Sequence, residues 1–134
     1  MFRQVDFPEA GIQVPAGTVM PNEELTAAVL REAHEETGLE RLVVKSYLGE
    51  QLRNMQDFGK AEVHQRHFFH LSCEGTTPTQ WQHDENHAGD GDGAPIRFEF
   101  FWAKIPDQIP ELIGDHDVMV PRLERQVQNE KLTP

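Results

Sequence analysis

Three glutamates lie close together in the segment REAHEETGL, residues 31–39. They are Glu32, Glu35 and Glu36. A helix advances about 100° per residue, so residues three or four apart are neighbours and the three carboxylates share one face. The apolar stripe of the preceding turns, formed by Leu25, Ala28 and Val29, leads onto or beside that face. The sequence therefore predicts carboxylates at the edge of a packed helical surface.

Ionised carboxylates in such a place repel one another and lose hydration, which raises their pKa values. They must be protonated, reach solvent in a cleft, or be neutralised by cations. Carboxylate oxygens are the ligands that Mg²⁺, Mn²⁺ and Ca²⁺ prefer. The alternative is an exposed acidic helix face with Arg31 and His34 nearby. On this segment alone both interpretations stay open.

Glycine and charged residues extend the pattern towards the N-terminus. Gly17 is followed after five residues by Glu23, and after seven more by residues 31–39. This spacing resembles the signature of the Nudix hydrolase family, G-x5-E-x7-R-E-U-x-E-E-x-G-U, in which U is a bulky aliphatic residue. Every polar and glycine position is met, and Ala33 at the first U position is the one departure. Residues 17–39 are thus similar to a complete Nudix motif.

The resemblance implies an α/β fold in which a mixed β-sheet is sandwiched between α-helices, with residues 17–39 forming a metal-binding loop–helix–loop. It implies hydrolysis of the pyrophosphate bond in a nucleoside diphosphate linked to another group, with Mg²⁺ or Mn²⁺. Carried over to this chain, the expected metal ligands are Glu32, Glu35, Glu36 and the backbone carbonyl of Ala16. Arg31 would orient the glutamates by pairing with Glu23, supported by Gly17 and Gly38.

The catalytic base is left open by the sequence. In the family it is often a glutamate of the motif or one from a later loop. Glu35 is therefore one candidate, Glu85 in a long polar segment is a second, and Glu99 on a predicted strand is a third. The role would be to take a proton from the attacking water.

The rest of the chain predicts one domain over residues 1–134. A helix is expected over 22–37, with Asn22 as N-cap and Gly38 closing it in the left-handed conformation. The remaining expected elements are strands at 41–52, 61–73 and 96–105, a long polar loop at about 75–95 and a C-terminal helix at about 115–128. Only sixteen residues precede Gly17, so the N-terminal strand is expected to be shortened.

The formal net charge is −11, from 12 Lys+Arg and 23 Asp+Glu. This balance excludes a nucleic acid polymer as partner, since such binding needs a basic surface, but it permits a small phosphate substrate held through cations. Cys73 is the single cysteine, and no apolar run is long enough to cross a bilayer. A cytoplasmic protein without membrane contact is expected. The shortened sheet edge also favours a homodimer.

Two further groups of residues are candidate sites. His64, His67 and His70 are spaced by three on a predicted strand, where such residues point to opposite faces, so a shared metal site is not favoured. If the 75–95 loop acts as a lid, Trp81 or His83 would stack on a base. The alternative to the enzyme is a catalytically weak nucleotide-binding sensor of the same fold.

Overall fold

The computed structural model describes residues 1–85 and 95–132. The strands are β1 (Phe2–Gln4), β2 (Leu42–Asn54), β3 (Val63–Cys73), β4 (Gln80–Glu85) and β5 (Ile96–Phe101). The α-helices are α1 (Leu25–Thr37) and α2 (Val120–Leu132), and two short 3₁₀ turns lie at Pro8–Ala10 and Gln56–Phe58. The α/β class expected from the sequence is confirmed.

The described strands form two antiparallel sheets. One has the order β1-β5-β4 and the other pairs β2 with β3. The N-terminal strand is indeed short, three residues long. α1 contacts both β2 and β4, so this helix lies where the two sheets approach each other. This position lets α1 take contacts from both sheets.

The core of the three-stranded sheet is aromatic. Phe2, Phe98 and Phe100 are buried together, and the ring centroids of Phe2 and Phe98 are 4.3 Å apart. Trp81 of β4 stacks on Phe100 at 5.2 Å with 14° between the ring planes. Because side chains alternate along a strand, these residues define one inward face of the sheet.

α1 begins three residues later than the sequence predicts. Asn22 has a φ of 65°, and the Glu23 N–H donates to the Met20 carbonyl at 3.1 Å, so this stretch forms a turn ahead of the helix. Glu24 is the N-cap residue instead of Asn22. The predicted C-terminus is confirmed, since Gly38 takes the left-handed conformation with a φ of 75°.

α2 is present but shifted from the predicted range 115–128 to Val120–Leu132. Asp115 has a φ of 61°, which a continuing helix does not allow. The helix packs on β2, where an Arg122 Nη1–H donates to the Leu48 carbonyl at 2.6 Å.

The predicted loop at 75–95 is wrong for residues 80–85, which form β4. The polar sequence QWQHDE gives little local sign of a strand, and the strand exists because it pairs along its whole length with β5. Residues 86–94 of the predicted loop, which include Asp90 and Asp92, lie outside the described residues.

His116 connects the segment after β5 to the N-terminal region. The Val14 N–H donates to Nδ1 of His116 at 3.0 Å. Burial, together with the charges of Arg66 and Arg53, lowers the pKa of His116 below its ordinary value of 6.5. The folded protein therefore favours the neutral imidazole, whose Nδ1 lone pair accepts this bond.

We expect the stability of the protein to fall as the pH drops below 6.5 partly because of His116. Between its lowered folded pKa and 6.5 the unfolded chain binds a proton that the folded chain does not, so protonation favours unfolding. His116→Asn keeps an acceptor oxygen and does not titrate, and it should flatten the decline by at most about 1.4 kcal/mol per pH unit. Urea unfolding at pH 7 and pH 5.5 measures this. An equally steep decline in both proteins would contradict the role of His116.

Candidate metal centre

Glu36 is the buried carboxylate of the cluster, with 5% of its surface exposed. Burial raises its pKa to about 8, and the charges of Glu85 and Glu32 act in the same direction. The backbone N–H of Ala16 donates to the Glu36 carboxyl and partly opposes this rise. Two carboxylates of α1 and one of β4 therefore influence one another, and the backbone of Ala16, in the loop before α1, lies against the Glu36 carboxyl.

Gly17 is required by the close approach of Glu32. A Cβ atom at position 17 would lie 2.0 Å from Cδ of Glu32 and 2.4 Å from its Cγ. Since no real Cβ comes this near, any larger residue would displace the Glu32 carboxylate. The loop glycine thus gives Glu32 its place beside the loop backbone.

Arg31 links the loop to the helix. Its Nε–H donates to Oε2 of Glu23 at 2.8 Å and its Nη2 donates to Oε1 at 2.9 Å, which makes a bidentate (two-pronged) ion pair. Nη2 also donates to the Thr18 carbonyl at 3.0 Å. Hydrogen bonding from Arg31, and then from the Met20 backbone N–H, lowers the pKa of Glu23 to about 2. Glu23 therefore stays ionised and holds the guanidinium in place.

The same guanidinium reaches two carboxylates of α1. Nη1 of Arg31 lies 2.7 Å from Oε1 of Glu32 and 3.3 Å from Oε2 of Glu35. The Glu35 side chain is 37% exposed, whereas that of Glu32 is 19% exposed. Glu35 is thus the carboxylate of this helix that is most open to solvent.

Two side chains of β4 bind the C-terminal turn of α1. Nε1–H of Trp81 donates to the Thr37 carbonyl at 2.9 Å, and Nε2 of His83 lies 3.0 Å from the Glu35 carbonyl. Trp81 and His83 thus lie on a strand that binds the helix and not on the expected loop, while the stacking of either ring on a base stays a prediction. No pattern local to 80–85 could have revealed this, since the partners are more than forty residues away.

The strand register places Glu85 and Glu99, the two candidate bases outside α1, on opposite faces of the sheet. Trp81 and His83 face α1, and Glu85 is the next residue of that alternation on β4. Glu99 pairs with Gln82, which lies on the opposite face of the sheet, and its carboxylate is 4.0 Å from Arg3. The structure therefore brings Glu85 to the cluster and leaves Glu99 away from it.

The predicted strand histidines do not gather around one point. His64 Nε2 bonds Glu62 at 2.9 Å, and His67 Nδ1 lies 3.0 Å from the Tyr47 hydroxyl. More generally, no three His, Cys, Asp or Glu side chains of residues 1–85 and 95–132 form a group that could hold a metal ion.

The donor types of the α1 cluster nevertheless fit a hard divalent cation. Carboxylate oxygens are the preferred ligands of such ions, and Glu36 is a buried carboxylate whose pKa is raised by burial and by two neighbouring carboxylates. A cation would relieve that repulsion. Oxygens of Glu32 and Glu35 are meanwhile bound to Arg31.

Comparison with known proteins agrees with this geometry. A family model described as NUDIX domain matches residues 1–98, while no curated protein and no solved structure matches the chain. Neither helix of residues 1–85 and 95–132 has the length and apolar character needed to span a membrane. NUDIX domains generally use divalent metals and act on pyrophosphate bonds of small phosphate compounds. With more than half of its length matched, the chain belongs to the NUDIX family.

Proposed function

We propose that this protein is a hydrolase, dependent on Mg²⁺ or Mn²⁺, that cleaves the pyrophosphate bond of a nucleoside diphosphate linked to another group. The observation that carries the proposal is the burial of Glu36 beside Glu32 and Glu85, which raises the pKa of Glu36 to about 8. A fold tolerates such a carboxylate cluster at a cost in stability. Cation binding gives the cluster a function.

The ligands that would hold the cation are Glu32, Glu35, Glu36 and the backbone carbonyl of Ala16. When bound, the cation offsets phosphate charge and lowers the pKa of a water molecule. Arg31 orients Glu32 and Glu35 through its bonds to their oxygens, and Glu23 fixes Arg31. Gly17 leaves room for Glu32, and Gly38 ends the helix just after Glu36.

Glu85 is the carboxylate we assign as the base. It lies on the sheet face that meets α1, and its charge acts on Glu36, so we assign it the proton of the attacking water. Glu35, being open to solvent, is the second candidate. Glu99 is disfavoured because it lies on the far face of the sheet.

The charge of the chain supports a small substrate. With a net charge of −11, a polyanionic compound is repelled unless cations lie between it and the protein. A compact diphosphate needs one local cation site, whereas a nucleic acid polymer needs a long basic surface.

We also expect a homodimer, which size-exclusion chromatography with light scattering would detect.

Turnover of a panel of diphosphate compounds tests the proposal. The panel comprises ADP-ribose, nucleotide sugars, dinucleoside polyphosphates, and nucleoside triphosphates with their oxidised forms, each with Mg²⁺, with Mn²⁺ and with EDTA. Phosphate is measured directly and after treatment with phosphatase. Metal-dependent cleavage of one class is expected, and EDTA should abolish it.

A catalytically weak nucleotide sensor is the second candidate. It is favoured by the bonds of Arg31 to Glu32 and Glu35, which engage carboxylates that an ion would need. If no compound of the panel is cleaved and calorimetry detects nucleotide binding, the sensor would be supported and the hydrolase contradicted.

A further inference from the structure

The carbonyls at the end of α1 are satisfied from another element. The last four carbonyls of a helix have no partner within the helix. The Gly38 N–H serves the His34 carbonyl at 2.8 Å, but the Leu39 N–H donates to the Thr37 hydroxyl instead of to a helix carbonyl. The carbonyls of Glu35 and Thr37 are bound by side chains of β4.

These two bonds are made by donors of fixed geometry. The Trp81 indole donates through Nε1–H. The Glu35 carbonyl can only accept, so His83 donates through a protonated Nε2. The Trp81 ring is itself held by stacking on Phe100. Both donors therefore belong to the sheet, and they bind the helix backbone on either side of Glu36.

Gly38 makes room for this arrangement. A Cβ atom at position 38 would lie 2.8 Å from Nδ1 of His83. The motif glycine thus has two roles, since it takes the left-handed conformation and also admits the imidazole. The need for space at Gly38 is an independent sign that His83 lies tightly against the end of α1.

The two bonds also fix how β4 runs along α1. Trp81, His83 and Glu85 are alternate residues of one strand and share a face. Trp81 binds Thr37, and His83 binds Glu35 two residues earlier on the helix. Continuing in that direction brings Glu85 towards the carboxylates of α1, consistent with its effect on Glu36.

We propose that Trp81 and His83 are positioning residues, whose bonds to the Thr37 and Glu35 carbonyls set the separation between Glu85 and the carboxylates of α1. The effect on turnover rests on the proposed function, whereas the effect on Mg²⁺ binding does not require any reaction. Loss of either donor lets β4 and α1 shift relative to each other. Both the cation site and the placement of Glu85 then loosen.

Single substitutions separate the hydrogen bond from packing. Trp81→Phe keeps an aromatic ring for stacking on Phe100 and deletes the N–H. His83→Leu deletes the donor, and His83→Gln restores an N–H near the position of Nε2. Trp102→Phe is the matched control, because Trp102 also donates through Nε1 to a backbone carbonyl, that of Pro78 at 3.0 Å, which is not part of α1. The Trp102 ring centroid lies 6.1 Å from that of Trp81, and phenylalanine keeps an aromatic ring there.

Trp81→Phe and His83→Leu should weaken Mg²⁺ binding, measured by calorimetry without substrate, by about 10-fold or more, as substitutions behind a metal ligand do. They should lower kcat by a similar factor with little change in KM, because the inference has both residues act through the backbone of α1. His83→Gln should recover most of both quantities, and Trp102→Phe should match the parent.

Mg²⁺ affinity unchanged in both Trp81→Phe and His83→Leu would overturn the inference, as would an equal loss in Trp102→Phe. If His83→Leu fails to fold, Trp81→Phe decides, since it retains the ring. A parent protein that binds Mg²⁺ but cleaves no compound would defeat the proposed function alone. The Mg²⁺ affinities would then still decide the positioning role.

Discussion

Glu36→Gln is expected to reduce metal-dependent turnover by at least about 100-fold, since loss of a residue behind a metal ligand already costs about 10–100-fold and this change removes a proposed ligand. Glutamine has nearly the same volume, so the fold should persist. Burial makes ionisation of Glu36 unfavourable, with its pKa raised to about 8. The unfolded chain ionises there more readily at pH 7, so the neutral variant without metal should be at least as stable as the parent.

Turnover, Mg²⁺ affinity and urea unfolding in EDTA measure these three effects. The matched control is Glu62→Gln, which changes a carboxylate that is 51% exposed and pairs with His64. Parent-level turnover in Glu36→Gln would remove Glu36 from the proposed metal site. A variant that loses both turnover and stability would instead give Glu36 a structural role.

Arg31→Lys should lower turnover by about 10-fold or more, because Arg31 bonds the proposed ligands Glu32 and Glu35. A lysine ammonium cannot reproduce the two-pronged pair with Glu23. The low pKa of Glu23, about 2, means that this pair stabilises the fold at neutral pH and that the stabilisation disappears as the pH falls from 4.5 towards 2. The variant should be less stable at pH 7, with a smaller loss on acidification.

Arg53→Lys is the control for this variant. Arg53 makes a comparable two-pronged pair with Asp57, at 2.9 and 2.7 Å, and also bonds Asp115 at 3.0 Å. Its substitution should change stability without changing Mg²⁺ affinity. Urea unfolding at pH 7 and pH 3, with calorimetry of Mg²⁺ binding, compares the two variants. Equal Mg²⁺ affinity in both would contradict the assignment of Arg31.

The amino-acid sequence by itself determined the features that depend on neighbours in the chain. The spacing of Glu32, Glu35 and Glu36 places them on one helical face, and Gly38 ends α1 where the sequence predicts. The spacing of residues 17–39 indicated the family that the comparison identifies. Helical periodicity and a left-handed glycine are local properties, since they follow from the backbone within one or two turns.

Tertiary structure alone decided which distant residues join this helix. β4 forms in a polar stretch because β5 pairs with it, and its register brings Glu85 to the cluster while Glu99 faces away. The bonds of Trp81 and His83 span 44 and 48 residues. Such contacts depend on which strands pair and on which face of a strand packs against the helix. Both are determined only when the whole chain folds around its core.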